Sequence, residues 1–130
     1  MRNSRLVATT VLSAGVLALA ILAFAGYFAD HWVAPPCEHE GYVFTYSVRY
    51  YLDPNEEWPT VWVKIYKGFA LFTQAMMEDY DQGELWVDYM AGVELDEDGN
   101  NYWYKFVAEG GPSTTLYPGP VVKDPGQNCP

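Results

Sequence analysis

The chain has 130 residues, half of them apolar and 17% aromatic, with a net charge of −10. That length allows one domain beside a terminal segment, and 11 Tyr with 5 Trp favour pleated strands over helices. All 17 acidic residues follow residue 29, against five basic ones there, so the main body repels phosphate backbones and argues against a nucleic-acid partner and against anionic lipid headgroups.

The first predicted element is an apolar stretch. Leu6 to Gly26 carries no charge, and a helix of that length reaches about 30 Å, the thickness of a hydrocarbon core. Arg2 and Arg5 precede it, which sets the N-terminus in the cytoplasm and the rest of the chain in the periplasm or outside the cell. Tyr27, Phe28 and Trp32 follow where an aromatic belt would lie. Residues 1–29 are therefore expected to be a single transmembrane helix that anchors the protein in the cell membrane. A cleaved signal peptide is the alternative, since Ala23-Phe24-Ala25 has the form of a processing site. Both alternatives give the same compartment.

Residues 30–41 read as a stem, with Pro35-Pro36 as a stiff step away from the bilayer. Cys37 opens the folded part and Cys129 nearly closes the chain. In an oxidising compartment two such cysteines most simply form one disulfide, tying the C-terminal tail to the stem; free thiols or an intermolecular link are the alternative. No C-x-x-C occurs, so structural zinc and thioredoxin-like redox chemistry have no support.

Residues 42–130 alternate as strands. Tyr42–Leu52 is the first. The segment from Asp53 to Pro59 is a loop. Thr60–Tyr66 sets Val61, Val63 and Ile65 against Trp62, Lys64 and Tyr66. Lys67-Gly68 turns into Phe69–Met77, and Glu78–Gly83 reads as an acidic loop. Glu84–Leu95 is a strand with a kink at Gly92. Asp98-Gly99 is a hairpin signal before Asn101–Ala108. Gly110-Gly111-Pro112 leads into Ser113–Tyr117, and a last short strand centres on Val121-Val122. Six or seven short strands at this spacing predict an all-β fold, an immunoglobulin-like antiparallel β-sandwich.

Residues 42–123 resemble a recurrent prokaryotic surface immunoglobulin-like module of the E-set type. The residues that carry the resemblance are Phe44-Thr45-Tyr46-Ser47-Val48, the Asp53 to Pro59-Thr60 loop, Tyr102 through Ala108, and Gly119-Pro120-Val121. The resemblance implies a sandwich used as a spacer, adhesion unit or binding unit, and carries over no functional residue.

Candidate site residues come from the alternation. Val61, Val63 and Ile65, then Leu85, Val87 and Tyr89, then Tyr102, Tyr104 and Phe106 are expected to be core. The opposite sides hold Trp62, Lys64 and Tyr66, then Trp86, Asp88 and Met90, then Trp103, Lys105 and Val107. If those strands are neighbours, Lys64, Asp88 and Lys105 pair across them and Trp62, Trp86 and Trp103 share one exposed surface. Trp62, Tyr66, Trp86 and Trp103 are therefore the candidate contact residues, for a partner protein or for stacking on sugar rings. The bland alternative is that these rings only cover the sheets.

Calcium is a weak candidate at Asp96, Asp98 and Asn100, or at Asp79 and Asp81, because the glycine comes too early for an EF-hand. His31, Glu38, His39 and Glu40 cluster in sequence, but two histidines in a stem do not make a transition-metal set. No metal and no cofactor is expected. No G-x-S-x-G and no phosphate-binding glycine loop occurs, so no enzyme is expected. What remains is a single-span accessory subunit that stabilises a larger membrane complex, contacting membrane lipid and partner subunits. The alternative is a surface-displayed adhesion or carbohydrate-binding module.

Overall fold

The computed structural model describes residues 26–130, which are all β, with no helix among them. The expected transmembrane helix lies outside the described residues. Among those described, no helix is long and apolar enough to cross a membrane.

Among the described residues ten strands run in chain order: β1 (Tyr27–Ala34), β2 (Cys37–His39), β3 (Tyr42–Tyr51), β4 (Val61–Lys67), β5 (Ala70–Met76), β6 (Glu78–Gln82), β7 (Trp86–Leu95), β8 (Tyr102–Ala108), β9 (Tyr117–Pro118) and β10 (Val121–Lys123). They form two four-stranded antiparallel sheets in a sandwich-like arrangement. The first has the order β1-β3-β7-β6 and the second β5-β4-β8-β9; β2 and β10 pair in parallel beside them.

The core follows from period-2 alternation. Phe44, Tyr46, Val48 and Tyr50 of β3 and Val87, Tyr89, Ala91, Val93 and Leu95 of β7 point inward from the first sheet. Val61, Val63 and Ile65 of β4 and Tyr102, Tyr104, Phe106 and Ala108 of β8 meet them from the second. Each fully buried Val, Leu, Ile or Phe among them contributes about 1.5–3 kcal/mol relative to exposure. Leu85 departs from the expected core: it lies just before β7, where its amide-linked neighbourhood belongs to a loop, and it is exposed. Burial pushes the Tyr46 hydroxyl well above its usual range, and among the described residues it has no hydrogen-bond partner.

Three expectations about the elements themselves are also corrected. The supposed stem is largely sheet. β1 pairs with β3, with Phe28 and Val33 packed against the core and Tyr27 stacked on Tyr51 at 5.1 Å. A bulge at Asp30, whose φ is 54°, interrupted the alternation and hid the strand from sequence reading. The acidic segment 78–83 is mostly β6, an edge strand with every side chain exposed and its main chain paired to β7. Carboxylates along an edge discourage pairing with other chains. Finally, Asp98-Gly99 does not close a hairpin, because β7 and β8 belong to different sheets and the connection crosses between them.

The strand directions define two ends. Gly26, Leu52, the loop 53–60, Leu85 and Gly111 sit at one, linked by Leu52 N–H to the Leu85 carbonyl (2.8 Å) and Glu109 N–H to the Thr60 carbonyl (2.8 Å). Pro35, Cys37, Gly41, Leu95 and Gly99 sit at the other, linked by Gly41 N–H to the Leu95 carbonyl (2.7 Å) and Val122 N–H to the Gly99 carbonyl (2.9 Å). Cys37 and Cys129 form a disulfide across 92 residues at this second end. The bridge therefore fastens the tail at the end opposite Gly26, about 26 Å away along the eight residues of β1.

Candidate docking surfaces

The two sheets present two unlike outer faces. On the second sheet, antiparallel register sets Trp62 opposite Val107 and Met76, Lys64 opposite Lys105 and Gln74, and Tyr66 opposite Trp103 and Leu71. Two apolar rows thus flank a row holding two lysines. Neither lysine makes a salt bridge among the described residues. Lys105 Nζ lies 5.9 Å from the centre of the Tyr66 ring, and the Trp62 indole N–H donates to Glu109 at the margin. Like charges directly opposite on antiparallel strands are unfavourable unless something neutralises them.

On the first sheet, Trp86 lies on the outer face beside Arg49, whose guanidinium sits 3.7 Å from the ring centre. Arg49 also donates two bonds to Asp88, from Nε at 2.7 Å and from an Nη at 3.0 Å. The Asp88 carboxylate holds the guanidinium pKa above its already high value. Ser47, buried on this face, shares a hydrogen bond of 3.3 Å with the Tyr80 hydroxyl.

Of the four candidate contact residues, the structure brings together Trp62, Tyr66 and Trp103 and sets Trp86 on the other sheet. The three tryptophans do not share a face. Asp88 does not pair with Lys64 or Lys105, because β7 neighbours β3 and β6 instead of β4 and β8. Its partner is Arg49, directly opposite it on β3.

Sequence reading missed Phe69. It follows Gly68, whose φ of 64° closes the β4–β5 turn, and it is fully exposed, at 107%. With Gly68, Asn101, Trp103 and Leu116 it lines an open groove of about 470 Å³ that continues the Tyr66–Trp103 row. A large apolar residue beside a turn glycine was the available signal.

The two histidines serve different parts of the sandwich. His31 on β1 stacks on Tyr117 of β9 at 3.6 Å, and its Nδ1 is 3.0 Å from the Tyr104 hydroxyl, so it closes the side between the sheets. Partial burial lowers its pKa, and burial lifts that of Tyr104 to about 12. His39 has an acceptor at each ring nitrogen, the Glu38 carboxylate at 3.1 Å and the Gln127 carbonyl at 2.7 Å. These raise its pKa, with the Glu38 bond the larger cause. Among the described residues, no group of three or more His, Cys, Asp or Glu is placed to hold a metal ion. No family model matches this chain, and no curated protein matches it.

Proposed function

We propose that this protein is a non-enzymatic, single-span accessory subunit, and that its immunoglobulin-like sandwich clamps a partner subunit outside the cytoplasm through the outer face of the second sheet. The observation that carries this reading is the Lys64–Lys105 pair framed by Trp62, Tyr66 and Trp103. Aromatic rings on a solvent-facing sheet are favoured interface anchors, and two unpaired like charges between them call for a carboxylate from outside. The partner surface is accordingly acidic at its centre, although the whole chain is acidic too. The apolar run from Leu6 to Gly26 supports membrane anchoring, and the disulfide supports an oxidising compartment for the domain.

Purification of the full chain in mild detergent tests this. The expected result is a stoichiometric complex that survives Glu94→Lys on the other sheet and dissociates with Lys105→Glu combined with Trp103→Ala. A chain that purifies alone and monomeric overturns the reading.

A further inference from the structure

The described chain enters the sandwich without slack. Gly26 is buried, and a methyl group there would overlap the Tyr51 carbonyl and crowd the Glu56 carboxylate at 2.6 Å and the Tyr50 ring at 2.8 Å. The next residue, Tyr27, already belongs to β1. The uncharged stretch that ends at Gly26 is therefore followed at once by sheet, with no stem between.

The end of the sandwich where this occurs also exposes large apolar side chains. Tyr27 is 60% exposed, Trp58 48% and Leu85 44%. The loop that carries Trp58 is held in place. The Tyr89 hydroxyl donates to the Pro59 carbonyl at 2.6 Å, and Glu56 accepts from the Tyr50 hydroxyl and the Asp53 amide. Trp58 is thus presented outward by an ordered loop. An indole with one apolar side and one hydrogen-bond donor is favoured at a membrane–water boundary, where both are satisfied.

We propose that the Gly26 end of the sandwich sits in the headgroup layer of the bilayer, with Tyr27, Trp58 and Leu85 in contact with lipid. This rests on the anchoring reading above and adds the orientation and height of the domain. Glu57 and Glu84 are exposed at the same end, so the surface it meets is zwitterionic. Seated this way, the disulfide end and the Phe69 groove point away from the membrane, and the Lys64–Lys105 face is held at a fixed distance above it.

The test uses the full chain in phosphatidylcholine vesicles, with tryptophan fluorescence quenched by lipids brominated near the headgroup. Wild-type protein is expected to be quenched, and Trp58→Phe to remove most of that quenching. Insertion of about twelve Gly and Ser residues before Gly26, a flexible tether, is expected to remove it as well. Phosphatidylglycerol vesicles are expected to give weaker quenching; equal or stronger quenching there overturns the assignment of a zwitterionic surface. A chain that resists carbonate extraction, yet whose Trp58 is untouched by brominated lipid and open to aqueous acrylamide, overturns the seating and leaves the anchor standing. A chain released by carbonate overturns both.

Discussion

The outer faces of the two sheets carry similar residue types and solve their electrostatics in opposite ways. On the first sheet Arg49 has its acid, Asp88, directly across the ladder and an indole, Trp86, beneath it. On the second sheet the corresponding ladder position sets Lys64 against Lys105. One face satisfies its charge within the domain; the other leaves it for something outside. An aromatic and a cation on a strand therefore do not by themselves mark a contact surface. The cross-strand partner decides, and that partner is a matter of topology.

The largest expected effect concerns the end that fastens the tail beside both sheets. Replacing Cys37 and Cys129 with serine should cost on the order of 4 kcal/mol by the chain-entropy argument for a loop of 92 residues. Urea unfolding of the two forms measures it, and a change below about 1 kcal/mol would show that the unfolded chain is already constrained.

Next comes the satisfied face. Arg49→Ala strands the Asp88 carboxylate, whose side chain is only 13% exposed, and should lower the unfolding midpoint. Unchanged unfolding midpoints would show that the pair is solvated like an ordinary surface bridge.

On the open face the sign reverses. Lys64→Glu creates an opposite-charge pair with Lys105 and should stabilise the isolated protein by about 0.2–1 kcal/mol. It should weaken partner binding at the same time. A variant that loses stability would remove the argument that this face lacks a counter-charge.

The smallest effects are those of the histidines, and they oppose each other. The folded pKa of His31 is lowered, so its contribution is present above about 6.5, its ordinary value, and is lost as pH falls through the folded value. The folded pKa of His39 is raised, so its contribution is present below about 6.5 and is lost as pH rises through the folded value. Thermal melts at several pH values should show His31→Gln flattening the acid side and His39→Gln the neutral side. Identical profiles for both variants would mean that neither contact depends on protonation.

Much of this architecture was legible because it depends on local alternation. Val61, Val63 and Ile65, like Tyr102, Tyr104 and Phe106, declare their buried side in any strand pairing, since one face must meet the core. The β4–β5 turn was legible because Gly68 supplies the left-handed conformation at low cost. β1 was not, because the bulge at Asp30 shifts the period between Ala29 and Trp32 and both neighbours look irregular. β6 was not, because its pairing uses main-chain groups and none of its side chains is buried.

The sequence by itself determined the all-β class, most of the core, and the residue types that line each strand, because side-chain period and turn chemistry are properties of neighbours along the chain. Only the tertiary structure decided which strands lie side by side, and so it alone separated Trp86 from Trp62 and Trp103, gave Asp88 to Arg49, and put Lys64 against Lys105. It also moved the disulfide to the end opposite Gly26. Such pairings join residues far apart in sequence, and alternation within one strand carries no information about which strand comes next to it.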